Sequence, residues 1–329
     1  MSVLNTMNTT GSINTGTGSV ATKPAAFYDR RLLEILRQRM FVHSKLAQRR
    51  PMPARYGDTI NFRRFRKLKP NLTPLTEGVT PDGSTAQVSA ISATTKQYGD
   101  YMAFTDVVDF QQVDDVLAAY NDEQAHQAAE TLDLLVREEL HSGSNVFYAG
   151  GKLDRSELAV GDKPTLDDFR RIKLQMEINH VPKINGKYVA IITPAIEFDL
   201  LDDPKFEKAY EIARNAKPFI DGEIADIYGI KFVVPVNGMV FEGEGAEGVN
   251  VHSAVVLGKD AYGITTIQGQ GDVKSIIKGL GSAGTEDPLD QRQTIGWKVN
   301  AFVAKRLTEE AITRYECVPT EAGSFVSYE

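Results

Sequence analysis

"TINFRRFRKLK" (Thr59–Lys69) and "TPLTEGVTPDG" (Thr73–Gly83) decide how the rest of the chain is read. The first has the aromatic and β-branched content of a strand, yet it carries five cations, Arg63, Arg64, Arg66, Lys67 and Lys69. The second is punctuated by Pro and Gly and reads as a turn region. A return strand follows in "TAQVSAISATTKQYGDYMAFTD" (Thr85–Asp106). Ile60 to Leu68 would reach about 30 Å as a strand. Neither limb is apolar enough to build a core, and a lone two-stranded hairpin is marginal in water. The spacing therefore predicts a long polar hairpin that must lie on another surface.

The body behind the hairpin is of ordinary globular composition: 329 residues, 42% hydrophobic and 25% charged. The net charge of −7 hides a polarity. Residues 1–69 hold 14 Lys and Arg against 3 Asp and Glu, and subtracting these from the chain's 37 and 44 leaves 23 basic and 41 acidic residues. Such a split fits either a nucleic-acid arm on an acidic body or the basic end of one copy meeting the acidic body of another. The longest apolar stretch, "YVAIITPAI" (Tyr188–Ile196), is less than half of the ~20 residues a spanning helix needs. The Asn-, Thr-, Gly- and Ser-rich start (residues 1–26) reads as a flexible tail rather than a secretory signal. One cysteine, Cys317, forbids an intrachain disulfide, and reads as a small apolar residue of a late strand. The five histidines show no ligand spacing.

Elsewhere the periodicity alternates between helix and strand without regular βαβ order, which predicts an α+β fold. "FYDRRLLEILRQRMFVHSKLA" (Phe27–Ala47) has Leu32, Leu33, Leu36 and Met40 at helical spacing. A long helix is expected from Glu123 to Ser142, with Ala125, Ala128, Leu132, Leu135, Val136 and Leu140 as its apolar stripe, Asp122 as N-cap and Gly143 as stop, and a weaker segment from Val113 to Tyr120 reads either as a separate short helix or as the start of a bent one. After Pro164 come a helix from Thr165, strands in "KYVAIITP", "YGIKFVVPV" and "NVHSAVVLGKDAYGITTI", and two closing strands, "QTIGWKVNAFVAKRL" and "AITRYECVP".

No catalytic constellation emerges. The lone GxGxxG match, "GEGAEG" (Gly243–Gly248), precedes a strand and carries Glu244 and Glu247, which would repel a pyrophosphate; it reads as a hairpin loop. "QGQGD" (Gln268–Asp272) likewise leads into a strand. The pairs Asp167/Asp168 and Asp202/Asp203 read as helix starts, where carboxylates favour the dipole. The basic run with Phe62 and Phe65 is the best nucleic-acid candidate, but its charges fall on both faces of a strand, which favours a solvated or subunit-contacting role. No cofactor, metal or catalytic residue is expected.

Seven segments in order resemble the major capsid proteins of tailed bacteriophages, in the group typified by the podophage N-four with the Hong Kong 97-type capsid fold. They are "YDRRLL" (Tyr28–Leu33), "GDTINFRRF" (Gly57–Phe65), "PLTEGVTP" (Pro74–Pro81), "QYGDYMAFTD" (Gln97–Asp106), "QAAETLDLLVREEL" (Gln127–Leu140), "NVFYAGG" (Asn145–Gly151) and "DPLDQRQTIGWK" (Asp287–Lys298). The resemblance implies a tail over 1–26, an N-terminal arm with a helix over 27–57, and an extended hairpin loop over 58–106. It implies a peripheral domain with a spine helix over 107–164, an axial domain over 165–290, and a return to the peripheral domain over 291–329. It makes Arg63, Arg64, Arg66 and Lys67 of the strand and Thr76, Glu77 and Pro81 of the tip the candidate contacts between subunits. The implied function is self-assembly into pentamers and hexamers of an icosahedral shell in the host cytoplasm. That shell would enclose double-stranded DNA without reading its sequence and would have no membrane contact. The short tail implies a separate scaffolding protein rather than a fused one, together with a portal, and leaves room for a decoration protein. A bacterial nanocompartment shell holding protein cargo, and a nucleic-acid-binding protein using the basic arm, are the alternative readings.

Overall fold

The computed structural model describes residues 42–53, 57–65, 68, 70–75, 77–78, 80, 83, 85–86, 88–107, 116–206, 223–235, 237–266, 273–282 and 284–321. The expected tail, most of the expected N-terminal helix, Arg66, Lys67, Thr76, Pro81 and the "QGQGD" loop lie outside them. In chain order the elements are α1 (Val42–Lys45), β1 (Gln48–Arg49), β2 (Thr59–Phe65), β3 (Val88–Thr94), β4 (Lys96–Thr105), α2 (Val116–His141) and β5 (Val146–Tyr148). Then come α3 (Leu166–Ile178), β6 (Tyr188–Ile191), α4 (Pro194–Leu201), β7 (Glu223–Ile227), β8 (Ile230–Val233) and β9 (Met239–Phe241). The chain closes with β10 (Val251–Leu257), β11 (Tyr262–Thr265), β12 (Lys274–Lys278), β13 (Arg292–Arg306) and β14 (Ile312–Cys317). The architecture is α+β, as the sequence pattern predicts.

Helix α2 buries the stripe expected of it: Ala125, Ala128, Leu132, Val136 and Leu140 are in the core, with Leu135 packed against its edge. It lies along β13, a strand of 15 residues that reaches about 50 Å. Gln124 Nε2 donates to the Ile295 carbonyl at 3.0 Å, and Trp297 Nε1 donates to Gln127 Oε1 at 2.9 Å. Near the other end, Lys305 Nζ meets Glu139 at 2.9 Å, so helix and strand run the same way. The helix does not start at Asp122. It already includes Val116, because Tyr120 packs its ring on the fully buried Phe104 of β4 (5.4 Å between centroids) and holds the earlier turns on the sheet. That tertiary contact outweighs the local capping signal.

β13 carries β4 on one edge and β12 on the other, both antiparallel, with β11 pairing to its last four residues and β1 joining β11 in parallel. The return limb expected as one strand is two. β3 pairs with β2 and β4 pairs with β13, and the switch falls at Thr95, whose N–H and Oγ1 both donate to the Asp58 carbonyl (2.8 and 3.0 Å).

The second sheet runs β5-β14-β10-β6-β8-β7, with β9 also on β10. Helix α3 covers it: the Phe169 ring meets Phe232 at 5.2 Å and Tyr315 at 5.0 Å. Thr165 caps α3, its Oγ1 accepting from the Asp168 N–H at 3.3 Å. Sequence neighbours part company here. β10 and β14 lie in this sheet while β11 and β13 lie in the other, so the chain crosses between sheets at each of these junctions. One buried core runs through both sheets and the helices.

The segment 42–52 is strapped to the body. Met52 and Arg50 donate backbone N–H groups to the Thr266 and Ile264 carbonyls (2.8 and 3.0 Å), extending the β1–β11 pairing. His43 Nδ1 contacts Asp133 Oδ2 of α2 at 2.7 Å, with both side chains 1% exposed. The Tyr262 hydroxyl donates to the His43 carbonyl, and burial pushes that phenol far above its ordinary range, so it remains a donor. At the end of α2, His141 hydrogen-bonds the Arg137 carbonyl through Nδ1 at 2.8 Å. Burial, helped by the nearby His43, Arg314 and Arg137, lowers its pKa to about 3.

Two outcomes follow. Asp133→Ala leaves His43 buried without its carboxylate and should cost about 3 kcal/mol, read as a lower denaturant midpoint. His141 is held neutral when folded but takes a proton near pH 6.5 when unfolded. Its contribution to stability is therefore full above pH 6.5 and is lost as pH falls toward 3, by up to about 1.4 kcal/mol per pH unit. Denaturant midpoints measured from pH 7 to pH 4 should fall less steeply for His141→Gln than for the unaltered chain.

Candidate assembly surface

The hairpin is apolar only at its root. In the β2–β3 register Ile60 faces Ala93 and Phe62 faces Ile91, so these four share one face. Phe62, Ala93 and Leu307 form a small buried cluster, separate from the main core, with Ile60, Ile91 and Val303 packed around it. Phe62 reaches this position because residue 263 is glycine: a Cβ there would come within 2.7 Å of the Phe62 ring. The next position on the face is Arg64, which spends its guanidinium on Glu310 of its own chain at 3.3 Å. Both partners are about half exposed, so the pair contributes little.

Farther out, the described residues find no apolar support. Leu72 is 88% and Leu75 75% exposed, on a stretch, residues 70–75, that is neither helix nor strand and contains Pro70 and Pro74. Asn71 Oδ1 accepts from the Thr73 N–H at 3.0 Å, a local turn that needs no tertiary partner. Of the candidate contact residues, Arg63 and Glu77 are exposed, Arg64 is exposed but paired, and Arg66, Lys67, Thr76 and Pro81 lie outside the described residues.

Where the hairpin root, α2 and β13 meet, an open groove of about 490 Å³ remains. Its floor is Tyr98 and Phe302, packed edge to face at 6.4 Å, with Leu135 and Val303 beside them. Burial and the neighbouring Glu138 carboxylate raise the Tyr98 phenol above its usual range.

The sequence motifs that suggested chemistry have structural roles. "GEGAEG" is the loop between the antiparallel strands β9 and β10, a hairpin loop as read. Its Glu244 binds Arg155, which also grips the fully buried Glu316 of β14 through Nε at 2.7 Å and Nη2 at 2.8 Å. The same guanidinium stacks 3.4 Å over the Phe241 ring. Asp167 and Asp168 do lie in the first turn of α3, and Lys205, then Arg170, hold the Asp167 carboxyl below its usual range. Asp202 closes α4 as its C-terminal cap, and Asp203 opens the helical turn that follows at 204–206, its Oδ1 accepting from the Lys205 N–H and its carbonyl from the Phe206 N–H, both at 2.9 Å, so this pair too stands at a helix start. Among the described residues no group of three or more His, Cys, Asp or Glu is arranged to hold a metal, and no helix is long and apolar enough to cross a membrane. Cys317 is buried in β14, and burial raises its thiol well above the usual range.

A family model described as phage capsid protein matches residues 88–315, from the outer limb of the hairpin root to the last strand. The chain belongs to the phage capsid protein family. No curated protein matches it. The fold is that of tailed-phage capsids of the Hong Kong 97 type. The capsid protein superposes on the capsid of Ralstonia phage GP4 with a TM-score of 0.73 at 13% identity, covering 86% of this chain and 90% of that one. The capsid asymmetric unit of cyanophage Pam1 gives 0.63 at 16% identity over 97% and 100%. The SrpI encapsulin complex of Synechococcus elongatus gives a weaker 0.52 at 9% over 96% of each chain. The capsid protein is thus a structural subunit of a virion shell that associates with copies of itself, which is the setting in which a hairpin whose apolar anchor, among the described residues, is at its root makes physical sense.

Phe62→Ala removes the larger part of the root cluster and should free the hairpin by about 3 kcal/mol while leaving the main core intact. Limited trypsin digestion should then cut at Arg63 and Arg64 many times faster, with little change in the global unfolding midpoint.

Proposed function

We propose that this capsid protein closes into pentamers and hexamers of an icosahedral shell that encloses double-stranded DNA, assembled in the host cytoplasm. Its role is structural rather than catalytic. The observation that carries this reading is the hairpin: beyond strands whose apolar anchor, among the described residues, is at the root, the chain holds out two highly exposed leucines, and Arg63 of β2 is exposed with no ion-pair partner among the described residues. Such strands gain stability by lying on a partner. Heterologous contacts of this kind close into rings when the rotation permits. Each can be weak, because a subunit held by several neighbours gains avidity from all of them. Arg63, Arg66, Lys67, Thr76, Glu77 and Pro81 are the contact residues we assign to the arm, with Arg64 shared between Glu310 and the interface.

The acidic remainder of the chain supports the same reading twice. It offers the basic arm of a neighbour a complementary surface, and it keeps the inner wall from gripping DNA tightly while the genome enters. A separate scaffolding protein and a portal complete the assembly, and a decoration protein is compatible with it. The nucleic-acid-binding alternative is disfavoured by the root geometry, which places Arg63 and Arg64 on opposite faces and gives Arg64 an internal partner. The nanocompartment alternative rests on the weaker fold likeness.

The test is charge reversal of the arm. Arg63→Glu with Arg66→Glu and Lys67→Glu should leave a folded subunit by circular dichroism that forms no shells by light scattering and negative-stain microscopy. Normal shells from the triple variant would refute the contact assignment, and shells filled with protein instead of DNA would favour the nanocompartment.

A further inference from the structure

We infer that Asn185 is a self-modifying site, converted without an enzyme to aspartate and isoaspartate, and that the fold withholds the same chemistry from Asn237. The chain has two Asn-Gly pairs, Asn185–Gly186 and Asn237–Gly238. Glycine has no Cβ to shield its backbone nitrogen, so each pair is open to ring closure. The Gly nitrogen attacks the Asn Cγ, an N–C bond forms, the Cγ–Nδ2 bond breaks, and ammonia leaves with the proton of the Gly N–H. Water then opens the cyclic imide at either carbonyl. One opening gives aspartate, and the other gives isoaspartate with the main chain rerouted through the former side chain. Water enters, ammonia leaves, and no atom changes oxidation state.

At Asn185 the pair is present because the turn demands it. Asn185 and Gly186 have φ of 49° and 84°, and the backbones of Ile184 and Lys187 bond each other reciprocally at 2.8 and 3.0 Å. This is the tight two-residue turn for which Asn-Gly is a preferred pair. It lies between α3 and β6, with both residues exposed, and a Cβ at 186 would meet nothing within 4 Å. Neither the Asn185 side chain nor the Gly186 N–H has a hydrogen-bond partner among the described residues. Ring closure needs rotation about the Asn185 Cα–C bond, which opens the turn. The Ile184–Lys187 pair is what resists, and exposed local bonds of that kind open readily.

At Asn237 the same dipeptide is clamped. Its Nδ2, the leaving nitrogen, donates to Glu130 Oε1 of α2 at 2.9 Å, and the carbonyls of Asn237 and Gly238 accept from Arg137 Nη1 at 3.5 and 3.3 Å. Gly238 is pressed on the buried Thr193, whose Cγ2 would lie 2.4 Å from a Cβ there. Rotation here breaks tertiary contacts rather than a surface turn. The Glu130 carboxylate also disfavours the anionic nitrogen that attacks.

The experiment holds the purified full-length protein at mildly alkaline pH, digests it with pepsin in acid and follows the peptides by mass spectrometry. The peptide holding Asn185 should gain the mass of the Asn-to-Asp change and split into aspartate and isoaspartate forms. It should convert at least about tenfold faster than the peptide holding Asn237, the factor that a clamp of about 1.4 kcal/mol gives. In denaturant the two rates should converge, because both asparagines precede glycine. Equal rates in the folded chain would overturn the inference, and so would a difference that persists undiminished in denaturant. Each converted copy gains a negative charge, so isoelectric focusing of aged protein should show a more acidic band that Asn185→Gln removes. An acidic band of undiminished strength in that variant would overturn the assignment to Asn185. Glu130→Ala should speed conversion at Asn237 and leave Asn185 unchanged; no effect at Asn237 would overturn the clamp.

Discussion

The contact between α2 and β13 is the constraint on which the other features depend. A helix of 26 residues lies along a strand of 15, and three alanines, Ala125, Ala128 and Ala129, are buried at the helix's inner face. Small residues there let the helix approach the sheet closely enough for Gln124 and Gln127 to bond directly to β13. Everything that leaves the body is attached to this pair. β4 and the hairpin root hang from one edge of β13, the strap 42–52 is fixed to α2 through His43 and to β11 through its backbone, and the groove opens between helix and strand.

This arrangement separates a rigid body from a compliant arm by a short length of chain. The strap ends at Met52 and the hairpin begins at Thr59. The body carries the large core and the buried polar contacts, while the hairpin root has three buried apolar residues. Opening of the root is therefore a local event of low cost compared with unfolding of the body. A subunit built this way can present its arm at slightly different angles to neighbouring copies without disturbing its own fold.

Charge is used differently in the two parts. In the body, ionised groups are buried where they brace loops: Glu316 is fully buried between Arg155 and Arg314, and Arg155 ties the loop before α3 to the β9–β10 hairpin loop. Removing any one partner would leave an uncompensated charge, so such networks specify geometry more than they add stability. On the arm the charges are exposed and weakly paired. Exposed charges of this kind act on encounter rates more than on stability.

The sequence by itself determined the long helix and its buried stripe, the α+β class, the polar character of the hairpin, and the hairpin-loop character of "GEGAEG". Each of these follows from periodicity or local charge, which act over a few residues. It also carried the capsid resemblance, through segments that keep their order along the chain. Only the tertiary structure decided where α2 begins, because Tyr120 is held by Phe104 from another element. It alone split the return limb at Thr95, sent β10 and β11 to different sheets, and paired His43 with Asp133 across 90 positions. No local signal marks these, since each is set by which surface a residue meets once the chain is packed. The groove is of the same kind. Tyr98, Leu135 and Phe302 look like ordinary core residues in their own segments, and only the divergence of hairpin, helix and strand makes the half-buried Tyr98 and Leu135, with the buried Phe302 beneath them, the lining of a groove.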